Sequence, residues 1–299
     1  MTEAFVETET HRTKCKWVAK ALQDFGKPRT TIRALFYYAL GRKESDYPIC
    51  GGFVGEIRVT RPYHESDGEK LPKWANKARE LGYIPKSAFL EEVPGEHIFL
   101  PDAPSEIRPY RIELWLNRSA FDPLLLPICT KQGAALVSIS SRPLAGAVEA
   151  LLHRSQRNTT IILCLSDLSI HGFTFCRDLA QAVARENHQE ERDIRLKHVA
   201  LIPDQVLERK IPMVPGEKGP RKHHNLYKGY LRPYGLEARR MAELDALEAY
   251  YPRGIAGFVE DTLSRYTSNI DLDQEEWLLD LKRGILLGES DADLPGKRR

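Results

Sequence analysis

The chain has 299 residues, 42% hydrophobic and 29% charged, with 44 Lys+Arg against 42 Asp+Glu. This excludes a disordered polypeptide, which lacks the aliphatic and aromatic content for a core. It also excludes helical membrane spans, because the longest apolar runs, 121–129 and 160–165, fall short of the roughly 18 residues a span needs. A net charge of +2 gives no strong overall field, so any binding to nucleic acid has to come from a local patch. The first residues carry Glu3, Glu7 and Glu9 where a secretory signal has positive charge and then an apolar stretch, so the expected location is the cytosol. The five cysteines, Cys15, Cys50, Cys129, Cys164 and Cys176, are scattered and form no Cys-x-x-Cys pair; the expectation is reduced thiols, with neither a disulfide framework nor a zinc ribbon.

In chain order, residues 11–25 place Trp17, Val18, Leu22 and Phe25 at helical spacing up to a break at Gly26 and Pro28. Thr30 or Thr31 caps a second helix over 32–40 that ends at Gly41, and two short helices around a tight turn suggest a DNA-binding arrangement. Residues 51–60 alternate as a strand or hairpin, and 73–81 form a third helix closed by Gly82 to Pro85. The Pro-rich, polar stretch 101–110 marks a domain boundary. Beyond it, strands at 111–116, 134–139, 160–165 and 196–201 alternate with helices at 143–153 and 172–186, the pattern of a parallel α/β sheet. Residues 209–235, with Pro212, Pro215, Pro220 and Pro233, read as a long loop; helices return at 236–250, 255–266 and 274–286, and 288–299 read as a disordered tail.

The strongest local signal is the apolar strand 160–165 running into 166–172 (SDLSIHG) and a helix. Ligands of parallel sheets bind beyond the carboxyl ends of the strands, so Asp167 stands where a metal or phosphate site belongs, and Gly172 allows a tight turn into the helix. Histidine 171 is either a substitute ligand or an ordinary loop histidine, the commoner case. His223 and His224 are adjacent and lack partner spacing for zinc. Residues 209–232 carry Arg209, Lys210, Lys218, Arg221, Lys222, Lys228 and Arg232 against Glu217, with His223, His224, Tyr227 and Tyr230 interleaved. This is either a phosphate-contacting patch or a solvated loop. Lys73, Lys77 and Arg79 either grip DNA as a recognition helix does or form an exposed face over buried Trp74, Ala78 and Leu81. No Walker loop, Gly-x-Ser-x-Gly elbow or His-Glu-x-x-His motif is present.

With these passages in order, the chain resembles the topoisomerase VI A subunit and the related meiotic double-strand-break transesterases, which join a winged helix to a Toprim domain. The resemblance is carried by 31–38 (TIRALFYY), 114–121 (LWLNRSAF), 166–172, 200–206 (ALIPDQV) and 243–247 (ELDAL). It implies a winged-helix-like, mainly α domain over 1–106 and a Toprim-like parallel sheet flanked by helices, with a helical C-terminal extension, over 107–287. It further implies duplex DNA as ligand, a homodimer, an ATPase-type partner subunit, and a nucleoid location in a prokaryote. In the family, a Glu-Lys pair ends the first strand and Asp-x-Asp follows the third, the carboxylates holding magnesium beside the scissile phosphate. Here Asn117 and Arg118 take the first pair and Ser169 replaces the second Asp, so only Asp167 remains. Glu113 shares the strand face of Asn117 but lies about 13 Å upstream, too far to substitute. Magnesium binding is therefore expected to be weak, without a two-metal arrangement.

Tyr37 aligns with the family's nucleophile, and Arg33, one turn earlier, would orient a phosphate or favour phenolate. Against this, Phe36, Tyr37 and Tyr38 read as packing aromatics of a small helical domain, the reading favoured by the degraded metal positions. The expected function is DNA binding with metal-dependent cleavage impaired or lost. The alternatives are magnesium-assisted cleavage by Tyr37, or a Toprim-type nuclease using Asp167 with His171.

Overall fold

The structure is a computed structural model that describes residues 8–43, 46–55, 57–101, 109–140, 144–156, 159–187, 192–267, 270–280 and 285–286. In chain order the elements are α1 (Glu9–Phe25), α2 (Ile32–Leu40), β1 (Ile49–Val54), β2 (Ile57–Arg61), α3 (Leu71–Glu80), β3 (Glu96–Phe99), β4 (Tyr110–Leu116), α4 (Asp122–Gln132), β5 (Ala135–Ile139), α5 (Ala145–Arg154) and β6 (Thr159–Leu165). There follow α6 (Ile170–Glu186), β7 (Ile194–Ala200), α7 (Pro203–Glu208), β8 (Val214–Pro215), α8 (Arg221–Leu231), β9 (Arg240–Met241), α9 (Leu244–Tyr250), α10 (Gly254–Thr267), β10 (Leu279–Asp280) and β11 (Ile285–Leu286). The chain divides into two compact units: residues up to Glu91 with Asp245–Tyr251, and the remainder.

In the first unit, the Thr8 hydroxyl accepts the His11 N–H and starts α1, which ends where Gly26 takes φ 67°. The Thr31 hydroxyl accepts the Ala34 N–H at 2.9 Å to cap α2, and itself donates to the buried Asp245 carboxylate. Aromatic rings fill the core: Trp17 stacks on Tyr63 with centroids 5.0 Å apart and meets Trp74 edge-on at 5.9 Å. Fully buried Asp67 takes both guanidinium arms of Arg61, at 2.5 and 2.6 Å. β1 and β2 form an antiparallel hairpin with Val54 and Ile57 exposed near its turn.

The second unit is α/β, a mixed seven-stranded sheet flanked by helices. Its order is β11-β10-β7-β6-β4-β5-β3, in which β7, β6, β4 and β5 are mutually parallel and β3, β10 and β11 add antiparallel edges. β4 and β6 are buried along almost their whole length; β6 accordingly reads as a nearly continuous apolar run, whereas β4 carries Arg111 and Glu113 between its apolar residues. One face is sealed by α5 and α6 through Trp115, Ile162, Leu151, Leu179, Val183 and Leu196; α4 packs with α10. Among the described residues no helix is long and apolar enough to cross a membrane.

Several expectations are corrected. The stretch 209–235 is not a loop throughout: it contains α8, because Pro220 directly precedes the helix and Pro233 follows it, so neither interrupts it. The helix expected over 236–250 starts only at Leu244, after β9 has paired with β8. The helix expected over 274–286 is absent from its described part, where Leu279 pairs with Leu196 of β7, so sheet extension overrides local pattern. α4, β3, α7, β8 and β9 have no counterpart among the elements expected from the sequence. α4 has Pro127 inside it and no apolar stripe, and β3 lies on the far side of the expected boundary yet pairs with β5. The sheet-bearing unit accordingly begins at Glu92, ahead of the expected 106/107 division. Most of 101–110 and all of the tail 288–299 lie outside the described residues.

Candidate functional site at the carboxyl ends of the parallel strands

From β4 the chain proceeds to β5 on one side, whereas β6 and then β7 lie on the other. The carboxyl ends of β4 and β6 thus flank a topological switch point, where parallel sheets open a ligand crevice. A cavity of about 330 Å³ opens there, lined by Asn117 after β4, Ser140 after β5, His171 and Thr174 of α6, and Pro220 and His223 at the start of α8. Asn117 Oδ1 is buried and has no hydrogen-bond partner among the described residues. His171 Nε2 lies 3.0 Å from the Glu217 carboxylate, with both side chains largely exposed.

The structure brings Asn117, Arg118, Asp167 and Ser169 to this end of the sheet, and it engages polar atoms of the last three. The Ser169 hydroxyl caps α6 by accepting the Gly172 N–H at 3.0 Å. Asp167 Oδ1 accepts the Leu244 N–H at 2.7 Å, and its Oδ2 faces the Arg118 guanidinium at 3.9 Å. Arg118 also binds Glu92, which accepts the Ser119 hydroxyl at 2.9 Å and the Ala120 N–H at 3.1 Å. Burial would raise the Glu92 pKa, but the Arg118 charge and these hydrogen bonds outweigh it and hold the carboxyl below its ordinary range. Gly172 serves a close approach rather than a turn: it lies inside α6, and a Cβ there would sit 2.1 Å from the Asp167 carbonyl oxygen.

Glu113 is fully buried and receives the Arg154 guanidinium at 2.9 and 2.8 Å and the Trp115 indole N–H at 3.0 Å. It is committed to the core. The donor set does not fit a magnesium centre: one carboxylate remains, it already accepts a backbone N–H, and a guanidinium stands beside it where a second cation would be repelled. Among the described residues no group of three or more His, Cys, Asp or Glu is arranged to hold a metal.

Tyr37 and Arg33 lie in the other unit. Tyr37 is fully buried on α2, with Arg33 over the rings of Phe36 and Tyr37 at 4.2 and 5.4 Å. A phenol attacking phosphorus needs the phosphate within contact, and in this conformation the ring is inside a core. Of the α3 cations, Lys77 pairs with Glu80 at 2.8 Å and Arg79 with Glu91 at 2.8 Å, whereas Lys73 is exposed with no ion-pair partner among the described residues.

The basic stretch is more ordered than its composition suggests. Lys218 is exposed just before α8. On α8, Arg221, Asn225 and Lys228, followed by Arg232, recur at i, i+4, i+7 and i+11; all are exposed, as is Lys222. None of these cations has an ion-pair partner among the described residues. The opposite side holds α8 to α6: Phe173 stacks on Tyr230 with centroids 5.3 Å apart, and Tyr227 is buried. Burial raises both phenol pKa values, so Tyr227 and Tyr230 stay neutral anchors. Asn225 is absent from the sequence-based candidates, whereas Arg232 is already among the cations of the 209–232 patch. Their helical spacing is visible in the sequence, but only once 221–231 is recognised as a helix. No family model matches the chain, and no curated protein matches it significantly.

Proposed function

We propose that the protein binds duplex DNA as a topoisomerase VI A-like protein whose metal-dependent strand cleavage has been lost. The observation that carries the reading is the cationic row of α8, exposed and without carboxylate partners among the described residues, on a helix whose start, at Pro220 and His223, lines the strand-end crevice. A helix face of this kind suits phosphate contact, which supplies affinity without sequence preference. The Toprim-like parallel sheet and the winged-helix-like α1, α2, hairpin and α3 are consistent with that family, and Lys73 offers a further phosphate contact. Asn117, Ser169 and the Arg118-flanked Asp167 favour binding over cleavage. A homodimer and an ATPase-type partner subunit are implied by the family resemblance alone.

Fluorescence anisotropy with a short labelled duplex tests the reading. Replacing Arg221, Lys228 and Arg232 together by alanine is expected to weaken binding roughly 100-fold near 0.1 M salt and to reduce the slope of log K against log[salt] by about 2.7, at 0.9 per phosphate. Equal affinity and slope in the variant would remove α8 from the interface, and no binding by wild type at low salt would end the DNA reading. Supercoiled DNA incubated with the protein and magnesium is expected to yield no covalent adduct. An adduct that disappears in Tyr37→Phe would restore the transesterase alternative.

A further inference from the structure

A second group of polar and sulfur side chains lies in the sheet-bearing unit, separate from the cations of α8. β6 and β7 place Cys164 directly opposite His198, and Cys164 belongs to the core that α6 closes. Cys176 reaches them from α6: its sulfur is 2.7 Å from that of Cys164, inside ordinary contact distance for two sulfurs. Ser166, the first residue past β6, completes the cluster, its Oγ 3.0 Å from His198 Nε2 and 3.4 Å from Cys176 Sγ. Cys164 and Ser166 are fully buried and Cys176 is 2% exposed, so a large reagent has no path to either sulfur.

The two thiols are unequal. Burial alone would keep Cys176 protonated, but the hydrogen bond from Cys164 and the charge of His198 outweigh it and lower its pKa well below the ordinary value. Burial, with the Cys176 anion alongside, raises Cys164 well above it. At His198 burial acts to lower the pKa, and the neighbouring Cys176 anion reverses the effect. Cys176, next to His198, is thus the thiol of the pair better placed to act as a nucleophile.

We propose that Cys164 and Cys176 form a reversible intrachain disulfide in response to hydrogen peroxide. The Cys176 thiolate attacks one peroxide oxygen and the O–O bond breaks. The departing hydroxide takes the proton held at His198, leaving water and a sulfenic acid. Cys164 then attacks that sulfur, the S–O bond breaks, and the hydroxyl leaves with the Cys164 proton as a second water. In total two thiols lose two hydrogens, one peroxide is reduced to two waters, and a dithiol reverses the change. The closed loop contains Asp167 and Ser169, so oxidation ties the start of α6 to the end of β6 beneath the crevice.

Both cysteines fall in one tryptic peptide, 158–177. Full-length protein is treated with hydrogen peroxide, denatured in N-ethylmaleimide and digested without reductant. The expected product is a peptide free of maleimide and about 2 Da lighter than the dithiol form, returned to the doubly alkylated form by prior dithiothreitol. Oxidised glutathione, too bulky for the buried pair, is expected to leave it doubly alkylated. Cys129, whose thiol burial pushes up to about 12, is the internal reference that stays alkylated. In Cys164→Ser, sulfinic and sulfonic acids are expected at Cys176, while in Cys176→Ser the remaining Cys164 stays alkylated. A doubly alkylated wild-type peptide after peroxide, or one carrying extra oxygens without the cross-link, overturns the proposal.

Discussion

Replacing Arg154 by alanine is expected to destabilise the sheet-bearing unit by about 3–5 kcal/mol, because it strands a fully buried charge. Glu113 sits in the middle of β4 with no access to water, and two of its three hydrogen bonds come from the Arg154 guanidinium. The Trp115 indole N–H alone cannot replace that positive charge. At 2–4 °C per kcal/mol for a unit of this size, the thermal midpoint should fall by roughly 6–20 °C in calorimetry. The double replacement Glu113→Met with Arg154→Met should recover most of the loss, since removing both charges also removes their desolvation penalty. An Arg154→Ala loss below about 1 kcal/mol would mean that water reaches Glu113.

Gly172→Ala is expected to cost about 3 kcal/mol or more, at the upper end of overpacking penalties. The sign is informative, because within an ordinary helix the same change gains about 0.5–1 kcal/mol. Here the added Cβ would lie 2.1 Å from the Asp167 carbonyl oxygen and 3.0 Å from its amide nitrogen and carbonyl carbon, all backbone atoms that no rotamer change can move aside. Relief requires the 166–169 loop to shift, and that loop carries the Asp167 bond to the Leu244 N–H and the Ser169 cap. Denaturant titration of the variant measures the loss. Stability equal to wild type would show that the loop yields freely and that the crevice is not held in one shape.

What could be read from the sequence follows from how far each interaction reaches along the chain. β6 is legible as an apolar run because a buried parallel strand has apolar residues on both faces, and β4 and β7 are legible from the alternation of strands with helices although charged residues interrupt them. The positions of Asn117 and Asp167 just past β4 and β6 followed from that alternation of strands and helices. The partners of these residues did not. Asp167 meets Leu244 across 77 residues and Glu113 meets Arg154 across 41, and neither pairing has a local signature. The thiol pair was hidden for a similar reason: Cys164 and Cys176 have no recognised spacing and meet only because α6 folds back over β6. β10 departs from its local helical pattern because its pairing with β7 decides its conformation, and α8 is masked in the sequence because the prolines that flank it signal breaks. Tyr37 shows the limit of a motif. Its segment matches a nucleophile's surroundings, but the same aromatic residues at the same spacing build the core in which the ring is buried.

The first unit is discontinuous in sequence, because Asp245–Tyr251 belongs to it while the chain on either side belongs to the other unit. Within that unit the Thr31 hydroxyl reaches Asp245, Lys27 pairs with Glu248 at 3.2 Å, and the Tyr250 hydroxyl lies 3.5 Å from the Tyr37 carbonyl oxygen. Residues 1–91 are therefore not an exchangeable module. A recombination event that transplanted them alone would leave Asp245 and Glu248 behind as carboxylates selected for buried surroundings, and would remove a wall from around Tyr37. Residues 245–251 thus complete the unit that α1 and α2 begin, although more than two hundred residues separate them along the chain.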